Sequence, residues 1–405
     1  MRPYVGLDLG STKTVAVVAE PDETGGLKLI GIGQVPSTGI RQGVVVNLEE
    51  TARSIRIAVA EAERMAGTPV REVVVGIAGE HVRSVNSRGV IAVSREGAEI
   101  GADDVTRVVE AARAVAIPGD RQVFHVIPQE FVVDDQAGIQ NPVGMSGVRL
   151  EAEVHIVTGA VASARNLEKA VRAAGLKPVA LVLEPLASAQ SVLTHDERDL
   201  GCLLIDMGGG TTDLSLYYDG AIRHSAVIGL GGSNVTHDLA VGLHCPVNAA
   251  EELKITHGCA VASLVDQHET VDVAGVGGRD PKPVSRHLVA SMIEARVEEV
   301  FTLVFREAKK NLFTDLMAGG VILTGGGADL DGVETLAERI FEMPVRVGRP
   351  TGVSGIRESL DDPRYATAMG LLLHARDRNG HDPVEEPRLF HRVSQPVRKW
   401  LGEFF

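Results

Sequence analysis

Cysteine, aromatic side chains, positive charge and long apolar runs are all scarce in this chain, and each scarcity excludes something. The three cysteines, Cys202, Cys245 and Cys259, have an odd count and no metal-ligand spacing. Neither a disulfide framework nor a zinc site is expected, and a reducing cytoplasm fits. Aromatics make up 3% of the residues, so the cores must be built from Val, Ala, Leu and Ile. No apolar run is long enough to span a bilayer, and the strand pattern that starts at residue 3 predicts no leader. Lys and Arg total 40 against 54 Asp and Glu, a net charge of −14. That balance argues against general binding to nucleic acid or anionic membrane through the body of the protein. At 405 residues the chain exceeds one ordinary core, so two or more domains are expected.

What is present is a glycine-rich hairpin written twice. The first copy runs from Val5 through Asp8, Gly10, Ser11, Thr12 and Lys13 to Thr14. The second runs from Leu204 through Asp206, Gly208, Gly209, Gly210, Thr211 and Thr212 to Asp213. Each is an apolar strand ending in Asp, a tight turn with hydroxyls, and a second apolar strand. Glycines let successive backbone N–H groups close on an anion. An Asp at the strand end can hold the Mg²⁺ that accompanies a polyphosphate, mostly through water. Two copies about half a chain apart predict a duplicated domain gripping one nucleotide from both sides. A third glycine turn, Gly325-Gly326-Gly327, follows the apolar run Val321–Thr324. No Lys-Ser/Thr follows these glycines, so this is not a Walker loop. Alone it would pass for a strand-to-helix turn; the ordered set of three is far more specific.

Along the chain, strands are expected near 3–9, 14–19, 28–35 and 73–77. The periodicity of Ile55, Ala58, Val59, Ala62 and Met65 predicts a helix over 51–66. Residues 82–158 change character, with strands near 82–86, 90–93, 122–134 and 148–157 and an amphipathic stretch at 102–115. Helices at 162–174 and 186–193 flank a strand at 179–183. The second half repeats the plan: hairpins over 201–228, a helix-rich insertion at 230–300 with a β patch around 270–284, a long helix at 285–311 and a final helix at 367–376.

This order resembles the actin-like ATPase superfamily over nearly all of residues 1–375. Within it the chain is similar to the FtsA family of bacterial cell division. The carrying strings are Val126-Ile127-Pro128-Gln129-Glu130, the run from Asn141 to Leu150, and the run from Leu253 to Ala260. The implied fold is α/β, with duplicated ribonuclease-H-like domains around a nucleotide cleft and an inserted α+β subdomain, 1C. The implied divisions are 1–81, 159–198 and 361–377 for subdomain 1A, 82–158 for 1C, 199–229 and 301–360 for 2A, and 230–300 for 2B. Residues 378–395 are the expected linker and 396–405 a terminal helix.

The resemblance also implies roles. The two hairpins would bind the phosphates of ATP, and Asp8 and Asp206 the Mg²⁺. Glu251 and Lys254 would contact the adenosine, and Gly325, Gly326 and Gly327 would lie under the α-phosphate and sugar. Glu184 sits where chaperone-type relatives keep a carboxylate that orients water. The expected activity is slow turnover in a filament-forming structural protein, not metabolic catalysis. Implied partners are other copies head to tail through 1C, other division proteins, and the C-terminal peptide of FtsZ. That acidic peptide would dock near the 2B helix bearing Arg286, Arg296 and Lys309. The implied place is the cytoplasmic face of the membrane at the division septum.

Blander readings stand beside these. Glu-x-x-Lys on a helix is ordinarily surface charge. His125, His155 and His257 lie among apolar or small residues and are expected to be structural. Asp103-Asp104 reads as a helix cap. A sugar kinase, a chaperone-type ATPase and a PilM-like pilus adaptor remain as rivals sharing the fold.

The last ten residues follow another logic. Val397, Trp400, Leu401, Phe404 and Phe405 recur at helical spacing, with Arg398 and Lys399 off that face. This is the pattern of an interfacial amphipathic helix on an anionic membrane. A free helix so short is marginal in water and binds lipid weakly. Firm attachment then requires several such hooks on one polymer.

Overall fold

The computed structural model describes residues 3–22, 26–93, 99–310, 315–356 and 361–379. Two sheets carry the duplication. In the first lobe the strands lie in the order Lys177–Leu183, Glu72–Ile77, Tyr4–Leu9, Lys13–Pro21, Leu27–Pro36 and Val353–Gly355. In the second the order is Val345–Val347, Val321–Thr324, Cys202–Met207, Thr212–Tyr218 and Ala221–Ile228. Each is centred on a hairpin whose first strand pairs in parallel with a later strand of the chain.

Helices cover the first sheet on both faces. Helix Leu48–Ala66 starts at Asn47, whose side chain accepts the N–H groups of Glu49 and Glu50, and stops at Gly67 in the left-handed conformation. Ile55, Ala58, Val59 and Ala62 are buried as expected, but Met65 is 54% exposed. Met65 keeps the angular position of that face, within about 20° of buried Ala58, but it sits in the last turn, two residues before the cap at Gly67, where the helix ends. The helix can lie this close because the facing strand has glycines. A side chain on Gly31 or Gly33 would strike the helix backbone at Ala62 or Ala58. On the opposite face, helices Glu184–Val192 and Ala366–Asn379 pack together and against the second lobe, burying Val192, Leu204, Ile322 and Ala366 in one cluster. The last helix overruns the expected linker start at 378 by two residues, and Arg378 donates to the Val179 carbonyl.

A further layer is the sheet Arg83–Ala92, Arg149–Ala160, Arg121–Val133 and Gln136–Ile139 under helix Ala102–Arg113. Two expected strands near 82–86 and 90–93 are one, because Gly89 continues the strand where the helix backbone presses against it. Asp104 does not cap that helix as its first residue; Gly101 does, and Asp104 reaches back to accept its N–H at 3.1 Å. The layer also leans on edge strand Ala221–Ile228 of the second lobe. Ser84 donates to the Ser225 carbonyl at 2.7 Å, Asn86 to Arg223 at 3.0 Å and Gln129 to Ile222 at 2.5 Å. His155, wholly buried, faces Asn86 Oδ1 with Nδ1 at 2.7 Å and Ser225 Oγ with Nε2 at 2.9 Å.

Candidate functional site

The two glycine hairpins meet across the cleft. A side chain on Gly209 would run into Thr12, and one on Gly210 into Ser11. Only glycine lets these turns approach so closely. The second turn is closed by Gly208 N–H to the Thr211 carbonyl at 3.0 Å. Ser11 Oγ accepts the Gly43 N–H at 3.1 Å, from the connection after the third strand.

Below the turns lie four carboxyl groups. Asp8 and Asp206 end the first strands of their hairpins, Asp213 pairs across from Asp206, and Glu184 opens the helix Glu184–Val192. Asp8, Asp206 and Asp213 are buried. Burial raises the proton affinity of all three, and repulsion from neighbouring carboxylates adds to it for Asp8 and Asp213. Asp8 is pushed up to about 6 by burial, with Asp206 adding to the rise and Lys13 opposing it. Glu184 rises well above the usual carboxylate range through burial and then through Asp8, Asp213 and Asp206. Asp213 rises likewise through burial and then Asp206, and its Oδ1 is buried without a partner. Asp206 is raised by burial but held back by hydrogen bonds from Ser188, at 2.5 Å, and Thr367, at 3.0 Å. Lys13 stands over this group, donating to the Arg364 carbonyl with its Nζ 4.8 Å from the Tyr365 ring centroid.

Crowded carboxylates with an unmet acceptor fit a divalent cation. Among the described residues no three acidic, histidine or cysteine groups stand close enough to chelate a metal directly. The donor set therefore suits a cation that keeps its water shell.

Glu251 and Lys254 are brought to the second hairpin. Lys254 Nζ bonds Glu251 at 2.8 Å, Thr236 Oγ1 at 3.0 Å and the Gly232 carbonyl at 3.2 Å. Gly232 and Ser233 in turn give their N–H groups to the carbonyls of Gly208 and Gly209. Gly325 has φ of +81°, and a side chain on it would strike Asp206 Oδ1. Gly327 abuts Met207, and Gly326 lies under the Arg364 side chain. The second and third glycine turns thus follow two neighbouring parallel strands, Cys202–Met207 and Val321–Thr324, and the first turn faces the second across the cleft. Sequence reading missed Ser188, Thr367, Thr236 and Arg364, which carry no motif.

Arg286, Arg296 and Lys309 are not gathered. They spread along or just past the helix Arg286–Ala308, roughly 35 Å at 1.5 Å per residue. Arg286 is engaged by Glu269 and the His257 carbonyl, and Arg296 by Asp238 and Glu299. Lys309 is exposed with its Nζ 4.0 Å from the Phe305 ring centroid. His125 accepts the Leu183 N–H at 3.0 Å, and His257 Nδ1 lies 2.7 Å from Thr256 Oγ1, in keeping with structural roles. Val397 to Phe405 lie outside the described residues, and among the described ones no helix is long and apolar enough to cross a membrane.

Residues 203–370 match the family model of the cell division protein FtsA, and residues 79–158 match that of the SHS2 domain inserted in FtsA. The cell division protein FtsA of Pseudomonas aeruginosa is 48% identical over 373 residues, 92% of this chain and 89% of that protein. The chain belongs to the FtsA family. It is an actin-like cell-division protein. FtsA of Escherichia coli K12 is 39% identical over 406 residues, covering 98% of this chain and 95% of its own. Among solved structures, the PilM-PilN type IV pilus biogenesis complex contains a chain of TM-score 0.67 at 19% identity, covering 92% of this chain and 98% of that one. MreB5 of Spiroplasma citri bound to ADP has TM-score 0.58 at 16% identity, covering 94% and 99%. These two share the fold; the FtsA relatives decide the family against the pilus-adaptor and kinase readings.

Proposed function

We propose that the chain binds Mg²⁺-ATP between its lobes, polymerises head to tail, and tethers FtsZ to the cytoplasmic face of the membrane at the septum. The observation that carries the nucleotide reading is the meeting of the two glycine hairpins over crowded carboxyl groups. Their electrostatic strain is what a metal–polyphosphate complex relieves. The backbone and hydroxyls of Gly10 to Lys13 and of Gly208 to Thr212 would hold the phosphates. Asp8 and Asp206 would hold the water shell of Mg²⁺, with Asp213 beside them. Glu251 and Lys254 would meet the adenosine, and Gly325 to Gly327 the sugar. Glu184 orients water in a slow hydrolysis. The likeness in fold to an MreB bound to ADP supports nucleotide binding.

Calorimetry with Mg²⁺-ATP tests the site. Asp206→Ala weakens binding about 10- to 100-fold, the usual cost of a lost charged contact. Gly326→Asp abolishes it by bulk and repulsion. That variant keeps its fold, because a Cβ there sits 3.4 Å from the nearest side-chain atom, Arg364 Cγ. Wild-type affinity in both variants removes the site.

The assembly reading rests on family membership and on the tail pattern. Filament contacts would run through residues 82–158, and other division proteins would join them. The FtsZ peptide would meet the helix bearing Arg286, Arg296 and Lys309, with Lys309 the exposed cation of the three. One flotation assay reads both attachments. With anionic vesicles, the full chain carries a labelled FtsZ C-terminal peptide to the lipid, and rising salt releases the peptide as screening weakens exposed charge pairs. Trp400→Glu leaves both in solution. Trp400 is the sole tryptophan, so lipid insertion shifts the emission to the blue. Emission already blue without vesicles, and unchanged by them, sinks the tether.

A further inference from the structure

We infer that Ser188 and Thr367 are positioning residues that hold the Asp206 carboxylate in its cation-facing direction, an inference that rests on the nucleotide reading above. The three aspartates of the cleft are not held alike. Asp213 takes only the Thr211 hydroxyl, at 3.3 Å on Oδ2, and leaves Oδ1 unpartnered. Asp206 Oδ2 receives two hydroxyls, Ser188 Oγ at 2.5 Å and Thr367 Oγ1 at 3.0 Å, which lie 2.9 Å from each other. Two hydroxyl protons serve three contacts. An ionised carboxylate favours the arrangement in which both point at Oδ2.

That arrangement fixes the other oxygen. With Oδ2 tied on one side, Oδ1 is turned toward Gly325, where a side chain would collide with it and where φ is +81°. The glycine therefore keeps open the side of the carboxylate that faces the cleft. The holding groups are rigid as well as near. Ser188 is fully buried in helix Glu184–Val192, and Thr367 is 7% exposed in the first turn of helix Ala366–Asn379. The two helices are stitched together by Ser191 Oγ donating to the Ala366 carbonyl at 2.7 Å, and packed so closely that a side chain on Gly370 would strike the Ala187 backbone. Both hydroxyls belong to the first lobe, and Asp206 ends a strand of the second. A carboxylate of one lobe is thus aimed by hydroxyls of the other. Side chains that orient a metal-facing group in this way commonly account for 10- to 100-fold in metal affinity.

The test separates aiming from folding. ATP affinity is measured by calorimetry with Mg²⁺ and again with EDTA, for wild type, Ser188→Ala, Thr367→Val, the double variant and Thr367→Ser. Expected is about a 10-fold weakening by the double variant with Mg²⁺, less than about 2-fold with EDTA, and near-wild-type binding for Thr367→Ser, which keeps the hydroxyl. Should the double variant not fold, Ser188→Ala, which removes a single buried oxygen, is read the same way with an expected loss of about 3-fold. Equal losses with and without Mg²⁺ overturn the inference, because they mark a merely structural role. So does a folded double variant at wild-type affinity while wild type itself depends on Mg²⁺. A wild type whose ATP binding ignores Mg²⁺ overturns the nucleotide reading along with it.

Discussion

The carboxylate cleft and the histidine seam both bury polar side chains between the lobes, and they do it in opposite ways. In the seam, Asn86 gives its amide N–H to the Arg223 carbonyl, so its oxygen faces the imidazole of His155. His155 therefore carries its proton on Nδ1 and accepts the Ser225 hydroxyl on Nε2. Every polar atom of that ring is used and the ring is neutral; burial above all pushes its pKa down to about 3. In the cleft, Asp8, Asp206, Asp213 and Glu184 repel one another, and Asp213 keeps an orphaned oxygen. A satisfied buried network is what folding alone requires, whereas crowded like charges cost stability unless a cation joins them. Orphaned atoms by themselves say less. His81 has two and Arg198 one, and the His81 ring is kept neutral by burial and then by Arg121 and Arg83, so it takes no part in a conflict of charges. Orphan and crowding together distinguish the cleft.

The largest effect should come from breaking the seam. His155→Ala strips partners from Asn86 Oδ1 and the Ser225 hydroxyl, each buried orphan costing about 1–3 kcal/mol. Expected is a loss of about 3 kcal/mol in urea unfolding followed by circular dichroism, with ATP affinity within about 2-fold of wild type. A loss below about 1 kcal/mol would show that the seam is not a structural lock.

The two regions also answer pH with opposite signs. Asp8 holds its proton up to about pH 6 in the folded chain against 3.8 as the reference. Its contribution to stability is therefore full below 3.8 and is lost as pH rises through about 6. His155 runs the other way. The unfolded chain takes up a proton below 6.5 that the folded chain refuses down to about 3, so stability is lost as pH falls through that window. His125, pushed down by burial to about 4, adds to the same side. A cation in the cleft reverses only the first effect, by expelling protons from the carboxyl groups. Mg²⁺-ATP binding at pH 6 should release protons, seen as a calorimetric heat that changes with the ionisation enthalpy of the buffer. Affinity should strengthen from pH 5 to 7. Buffer-independent heats would mean that the carboxyl groups are already ionised and the crowding is not felt.

What could be read beforehand divides along the same line. The hairpins were legible because strand, turn and chemistry sit within ten residues, and their repetition announced the duplicated lobes. The groups that hold those motifs in place were not. Ser188 lies in a helix of small residues, and its partner Thr367 is 179 positions away. His155 looks like any inward residue of a strand until Ser225, 70 positions on, is packed against it. Ser87-Arg88-Gly89 falls between the strands expected near 82–86 and 90–93, yet the chain runs through it as one strand. In the fold Asn86 faces the second lobe and Gly89 admits a helix. Local chemistry leaves a mark in sequence, while long-range polar satisfaction leaves almost none.

The smallest effect sharpens the comparison most, because it should raise stability rather than lower it. Asp213→Asn keeps the shape of the side chain. Its amide oxygen can still accept the Thr211 hydroxyl now bonded to Oδ2. That puts the amide nitrogen where the orphaned Oδ1 stands. A charged carboxylate is thereby exchanged for a neutral amide, which removes the repulsion with Asp206, the charge that contributes after burial to the raised pKa of Asp213. Removing one member of a crowded set commonly gains about 1 kcal/mol, the equivalent of somewhat under one pKa unit. The nucleotide-free variant should therefore unfold at higher urea than wild type at pH 7, while Mg²⁺-ATP affinity falls about 3-fold as one charge for the cation is lost. The trade is specific to the cleft, since no substitution in the satisfied seam can relieve a repulsion that is not there. A nucleotide-free Asp213→Asn that is less stable than wild type would show that the carboxyl groups are not in conflict, and the contrast between the two regions would collapse.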